Sequence, residues 1–283
     1  MRIAVTGGGD GDDGRADHHR RRLRAMPGVE LVDTRPDAVV VCGGPSLHRE
    51  LTERAAAAGA HVLCEPPLAG GVPDAEAMVD ACAHAGVSLT LAHPTRFSPA
   101  FEAARRAVAD GRLGRLGTVN GVCHPDWATH LVDLVDVLLD GEQAAEVYAR
   151  ASTVAPASVL VVRYPGGSVA TLGHGCGTPG LELVGERATV RFDPFARLLD
   201  VRATGRDGDR GDGRRDDRSA GRLGGADLDA AMLAAFVAGV RDGRPQGPDA
   251  AAGLRGLRIA RAARRSLDTG RPAPVDHRPG GPG

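Results

Sequence analysis

DAVVVCGGPSLHRELTERAAAAGAHVLC, residues 37–64, places a β-branched run and a short apolar run on either side of one helical stretch. Two short buried runs joined by a helix read as parallel strands connected by a right-handed crossover. Upstream, RIAVTGGG from Arg2 is an apolar strand entering glycines, and DHHRRRLRAM carries a helical pattern that Pro27 and Gly28 end. Downstream, PDAEAMVDACAHAG reads as a helix and VSLTLA as a strand. This part of the chain is therefore α/β with a parallel sheet.

One connection departs from the pattern. VELVD (Val29–Asp33) and the Asp37–Cys42 run are three residues apart, whereas a parallel crossover needs a dozen or more. Either the two runs pair antiparallel around Thr34, Arg35 and Pro36, or one of them is displaced to a sheet edge.

After Pro94 the rhythm changes. Helix PAFEAARRAVADG, strand GTVNGVC and helix ATHLVDLVDVLLDG precede the strands AEVYARAST, SVLVVRY, SVATLGH, LELVG and ATVRF. Successive strands after few helices imply an α+β domain with a large, mostly antiparallel sheet. The boundaries read from sequence are residues 1–94 for the first domain and 95–283 for the second. Residues 202–225 are almost devoid of apolar side chains, the composition of a mobile loop. Two helices, DLDAAMLAAFVAGVRDG and AAGLRGLRIARAARRSLDTG, close the second domain.

Composition removes several function classes. A chain of 283 residues with 42% hydrophobic content can bury a substantial core. Its net charge of −1 gives no field that would gather nucleic acid or an anionic membrane surface. No apolar run approaches the roughly 20 residues that span a bilayer, and RIAV is too short for the core of a signal peptide, so the expected compartment is the cytoplasm. The cysteines, Cys42, Cys64, Cys82, Cys123 and Cys176, contain no C-x-x-C pair and read as reduced, buried thiols. The chain has no lysine, and all 35 basic residues are arginine. Schiff-base chemistry, a pyridoxal-phosphate anchor and a lysine general acid are thereby excluded.

Taken in order, the opening strand and glycine turn, HVLCEPPLA, HPTRFSPAFEAARRAVADGRLGRLGTV, THLVDLVDVLLDG and the closing AAFVAGVRDGRPQGPDAAAGLRGLRIARAARRSLDTGRP resemble the glucose-fructose oxidoreductase and inositol dehydrogenase (Gfo/Idh/MocA) family nearly end to end. The resemblance implies an N-terminal Rossmann domain, truncated here, a C-terminal sheet domain that often builds an oligomer, and a cleft for sugar-like substrates. In that family the strand matching HVLC is followed by Glu-Lys-Pro, whose lysine helps activate the substrate hydroxyl and touches the nicotinamide. This chain has Glu65, Pro66 and Pro67, so the turn is kept and the lysine's chemistry is absent. A second family motif, Asp-x-x-x-His, maps onto Asp126 and His130, which makes His130 the acid–base candidate and Asp126 its orienter, with Asp133 one turn further on.

The cofactor candidates are Gly7, Gly9, Gly11 and Gly14, which include a G-x-G-x-x-G spacing. Asp10, Asp12, Asp13 and Asp17 surround them, and like charges near a pyrophosphate cost on the order of 1 kcal/mol or more each. Asp33 stands in for the ribose acid, and Arg35 beside it suits a 2′-phosphate. Glu65, His93, Arg96 and Trp127 are the substrate-side candidates. From the missing lysine, the acidic loop and the short crossover, the sequence reading expects no cofactor and a non-redox lyase, isomerase or cyclase acting on a small specialised metabolite through His130 and Asp126. The alternatives are an NAD- or NADP-dependent oxidoreductase on a sugar-like or cyclic substrate, and a non-catalytic scaffold. CHPDWATH has metal-ligating residue types in a spacing that matches no standard zinc site, so no metal is expected. Beyond a small-molecule substrate, the expected partner is a second copy of the chain, as a dimer or tetramer, through the uncovered sheet face.

Overall fold

The computed structural model describes residues 1–7, 14–124, 127–175, 179–194, 199–203, 227–244 and 249–277. It divides into two compact units: Met1–Pro94 with Asp227–Arg258, and Thr95–Ala226 with Ile259–His277.

The first unit is built on five parallel strands, β1 (Arg2–Thr6), β2 (Glu30–Leu31), β3 (Ala38–Val41), β4 (His61–Cys64) and β5 (Leu89–Leu91), in the order β2-β1-β3-β4-β5. All four residues of β3 are buried, as a central parallel strand covered on both faces requires. Helices α1 (Arg15–Arg24), α2 (Pro45–Ala57) and α3 (Val72–Ala85) form the crossovers. Proline occupies the first turn of α2 and of α3, where the missing N–H costs nothing, and Gly86 in the left-handed conformation ends α3. Val39, Val62, Leu68, Met78 and Leu91 share one core, and a fully buried side chain of this size stabilises by about 1.5–3 kcal/mol.

The short connection resolves as an edge displacement, the second of the two alternatives. β2 pairs parallel with β1 at Arg2↔Glu30 and Ile3↔Leu31, while β3 pairs with the other side of β1 at Ile3↔Ala38. Val32–Asp37 thus passes beneath the start of β1 without a helix. The passage is fastened by the Val32 N–H to the Ile3 carbonyl at 3.0 Å, the Asp37 N–H to the Arg2 carbonyl at 2.8 Å, and the Arg2 guanidinium to the Thr34 carbonyl at 2.7 Å.

In the second unit a short 3-10 turn at Pro94–Phe97 leads to α4 (Pro99–Ala109), β6 (Leu116–Cys123) and α5 (Ala128–Leu138). β7 (Glu146–Ala151), β8 (Ser158–Arg163), β9 (Val169–His174), β10 (Gly180–Gly185), β11 (Ala188–Phe192) and β12 (Leu199–Ala203) follow. Inward residues such as Val119, Val162, Leu172, Leu183 and Val190 alternate with outward ones and share a core with Phe101, Leu131 and Leu134 of the helices.

The C-terminal elements are α6 (Leu228–Arg241), α7 (Ala250–Thr269) and β13 (Ala273–Pro274). β13 completes an eight-stranded sheet, β12-β11-β10-β6-β9-β8-β7-β13, in which the β6–β9 pair is parallel and the other neighbours are antiparallel. The sequence reading assigned both closing helices to the second domain. In the structure α6 and the start of α7 group with the first unit: the Arg241 guanidinium donates to the Gly28 carbonyl at 2.7 Å, and Ala250 joins the core around Leu68. From Ile259 onward α7 belongs to the second unit, where the Ser266 hydroxyl accepts from the Ala149 N–H at 2.9 Å. Cys42, Cys64, Cys82 and Cys123 are free and buried, Cys176 lies outside the described residues, and no described helix is long and apolar enough to cross a membrane. The proposed mobile loop, 202–225, falls almost wholly outside the described residues.

Candidate functional site

At the ends of β1, β3 and β4 the first unit gathers the turns where open parallel sheets bind ligands. Gly7 follows β1 with φ +92°, and a Cβ there would stand 2.0 Å from the Cys42 carbonyl oxygen, so no side chain fits between β1 and β3. Gly9 and Gly11 lie in 8–13, outside the described residues. Gly14 takes the N-cap of α1 at φ 77°, and no side-chain cap hydrogen bond is present there among the described residues. Apart from its own chain neighbours and the adjoining helix backbone, no described heavy atom lies within 4 Å of where a Gly14 Cβ would be. A helix start of this kind offers backbone N–H groups and the positive end of the helix dipole to an anion.

Arg15, the first residue of α1, turns back onto Glu65 of the Glu-Pro-Pro turn. Its Nη2 donates to the two carboxylate oxygens at 3.0 and 2.9 Å and its Nε donates at 3.2 Å, while His19 Nε2 meets Oε1. Glu65 is 7% exposed. Burial pushes its carboxyl pKa up, but the hydrogen bonds and charges of His19 and Arg15 outweigh burial and hold it below the ordinary value. His18 on the same helix links Arg22 to α6: Arg22 donates to Nδ1 at 3.0 Å, so Nε2 carries the ring proton and donates to Asp229 at 3.0 Å. Asp17 is paired with Arg20 at 2.9 Å.

Behind the turn, the Pro66–Pro67 peptide is cis. The fully buried His48 spans two turns, with Nε2 3.0 Å from the Gly43 carbonyl and Nδ1 3.1 Å from the Pro67 carbonyl. Sequence reasoning missed Arg15, His19 and His48. The one available signal was an arginine set directly after the last glycine of the loop. His93 is 3% exposed at the end of the first unit, its N–H donating to the Leu91 carbonyl at 3.1 Å.

In the second unit α5 carries His130, 8% exposed, with the Trp127 ring 5.3 Å away at 45°. Asp126, the proposed orienter, lies outside the described residues. Arg96 donates from Nε and Nη2 to the two oxygens of Asp133 at 2.7 and 2.6 Å, a bidentate pair within this unit. His130 and Trp127 border an open pocket that Leu131, Leu134 and Leu181 also line. Among the described residues no group of three or more metal-ligating side chains converges.

The model of the oxidoreductase family with an NAD-binding Rossmann fold matches residues 15–93, and that of the family's C-terminal α/β domain matches residues 120–275. Among curated relatives, the myo-inositol 2-dehydrogenase of Thermotoga maritima is 26% identical over 297 aligned positions, covering 89% of this chain and 87% of the relative. The 1,5-anhydro-D-fructose reductase of Ensifer adhaerens is 51% identical over 87 residues, which are 30% of this chain and 26% of the reductase. Among solved structures, a levoglucosan dehydrogenase in complex with NADH and levoglucosan superposes with a TM-score of 0.82 at 19% identity, over 98% of this chain and 100% of that one.

Two expectations are thereby corrected. A family model for NAD binding over the first unit, with reductases and dehydrogenases among the relatives, overturns both the absence of a cofactor and the lyase, isomerase or cyclase reading. Of the acids in the charge argument, Asp10, Asp12 and Asp13 lie outside the described residues and Asp17 is paired with Arg20, while Arg15 at the head of α1 is paired with Glu65. Backbone N–H groups at a helix start are also indifferent to the loss of the lysine at position 66. The first-turn N–H groups of α1, beside a Gly14 that no other described element crowds, fit the diphosphate of a dinucleotide.

Proposed function

The chain belongs to the Gfo/Idh/MocA oxidoreductase family, and on that premise we propose that it is an NAD(P)-dependent dehydrogenase or reductase of a sugar-like or cyclic alcohol. The observation that carries the reading is the match of both family models in order along one chain, residues 15–93 and 120–275. The geometry supports it: Gly14 and Arg15 head α1 as the place for the cofactor's diphosphate, and Asp33 past the end of β2 is the acid for its ribose. When bound, the nicotinamide supplies the hydride donor or acceptor.

The chain's own residues handle the proton. With Pro66 where the family's lysine stands, the transfer to and from the reacting hydroxyl rests on His130, whose ring is fixed against Trp127. Glu65 positions the turn through Arg15 and His19 and stays ionised while doing so. We also propose that the chain self-associates through its eight-stranded sheet.

The test is a titration of the full chain with NADH and with NADPH, followed by nicotinamide fluorescence and thermal shift, and then a screen of cyclic alcohols with the oxidised cofactors. Tight binding of one cofactor should raise the melting temperature by mass action. His130→Ala should leave that binding intact and lower kcat about 100-fold or more. No binding of either nucleotide at millimolar concentration would remove the proposal.

A further inference from the structure

We propose that Glu65 and the cofactor's diphosphate compete for one guanidinium: Arg15 rests on Glu65 in the free chain and turns to the phosphates when a dinucleotide binds. The inference deepens the NAD(P)-dependent reading and rests on it for the ligand.

Arg15 is the first residue of α1, directly after the Gly14 N-cap, so its backbone belongs to the turn whose N–H groups face an anion. Its side chain is engaged by Glu65, with Nη2 3.0 and 2.9 Å from the two carboxylate oxygens and Nε 3.2 Å from one of them. The two partners differ in burial: side-chain exposure is 9% at Glu65 and 35% at Arg15. The carboxylate is therefore fixed inside the fold, while the guanidinium stands near the surface on a long side chain that rotation about its χ angles can redirect. A phosphate accepts the same two-pronged donation as a carboxylate. A diphosphate also carries more charge and gains from the positive end of the helix.

The exchange does not leave Glu65 bare. His19, fully buried on the next turn of α1, keeps its Nε2 contact with the carboxylate. Burial disfavours the ionised carboxyl, and the His19 hydrogen bond is the strongest of the influences that oppose burial. A second acid, Asp229 of α6, lies 3.9 Å from Arg15 Nη2 and is held by His18 at 3.0 Å. At that distance it makes no hydrogen bond to Arg15, so Glu65 is the contact that has to break. Breaking it costs free energy that phosphate binding must supply, and Glu65 thereby lowers the apparent affinity for the cofactor. The same exchange couples the Glu-Pro-Pro turn to the head of α1, because the turn gives up its arginine anchor only when the diphosphate is in place.

The probe is ADP-ribose, which has the diphosphate and no nicotinamide, titrated calorimetrically into wild type, Glu65→Gln, Arg15→Gln and the double variant. Glu65→Gln frees the guanidinium and should tighten ADP-ribose about tenfold, within the range of coupling between linked sites, even though it lowers the melting temperature. Arg15→Gln should weaken binding, and in the double variant the gain should vanish because no guanidinium remains to be released. Simple repulsion between Glu65 and the phosphates would instead leave the gain intact in the double variant. A second readout needs no change at Glu65: the Arg15 Nε–H resonance, identified as the one missing from Arg15→Gln, should move as wild type is saturated with ADP-ribose. Unchanged or weaker binding in Glu65→Gln, a gain that survives loss of Arg15, or an unmoved Nε–H resonance would overturn the exchange and leave the oxidoreductase reading in place. No binding of ADP-ribose, NADH or NADPH to any of these proteins would remove both.

Discussion

Glu65 accepts from Arg15 and His19 on a carboxylate that is 7% exposed, so its ionised form is held by protein rather than by water. Removing that charge leaves Arg15 with Asp229 at 3.9 Å and strands the His19 contact. Glu65→Gln should therefore cost about 2 kcal/mol at neutral pH, the loss expected for hydrogen bonds to a charged group. The sign with pH follows from the native pKa lying below the unfolded one. The contribution is complete above the unfolded value, about 4.3 for glutamate, and disappears as the pH falls through the lower native value. Urea melts of both proteins from pH 7 to about pH 3 should show a constant gap that closes at the acid end; a gap independent of pH would mean that the charge is not what Glu65 contributes. Family motifs singled out Glu65 and His130 in the sequence as candidates. Arg15 and His19, 50 and 46 residues from Glu65, were not legible, because their meeting depends on which strands neighbour which in the sheet, and local periodicity carries no such information.

At the scale of elements, the apolar runs, glycines and prolines placed β1, β3, β4 and β5 and the helices between them correctly in order, since each carries its own local signal. β2 resisted because only Glu30–Leu31 pairs within the five-residue apolar run, and a two-residue edge strand leaves almost no pattern to read. α6 was located but placed in the wrong unit. It buries Met232, Leu233, Phe236 and Val237, and polar contacts across more than 200 residues of sequence tie it to α1: Asp229 with His18, and Asp227 with Arg22 at 2.9 Å. Asp227 is also the N-cap of α6, accepting from the Ala230 N–H at 3.1 Å. Asp227→Ala should cost about 1 kcal/mol through the lost cap, with little added by the exposed Arg22 pair. In calorimetry that is a fall in Tm of roughly 2–4 °C for a chain of this size. Asp227→Asn, which keeps a capping oxygen and drops the charge, should recover most of it; if Asn behaves like Ala, the pairing with Arg22 and not the cap is what matters.

For the whole molecule, the large sheet raises the question of what its outer face is for. The helices α4 and α5 and the C-terminal part of α7 share one core with the inward residues, while Val122 on β6 and Val159 on β8 point outward at 41% and 39% exposure. Both sit opposite Gly173 in register, which sets two exposed valines on either side of a residue with no side chain. Eight strands at about 4.8 Å spacing and about six residues long present a face of roughly 34 by 20 Å, close to the roughly 800 Å² per partner of a stable interface. A sheet face with apolar side chains at its middle and charged ones such as Arg163 and Arg191 further out has the arrangement of an interface core and rim. The chain, 29.2 kDa alone, should sediment at an integral multiple of that mass at micromolar concentration. Val122→Lys and Val159→Lys should shift it to the single-chain mass while moving Tm of the isolated chain by no more than about 0.5 kcal/mol equivalent, as exposed substitutions do. Because two lysines move the net charge only from −1 to about +1, such a shift would come from loss of the apolar contact at the two valines and not from general repulsion. A wild-type chain that sediments at 29.2 kDa across that range would show that the sheet face stays in water.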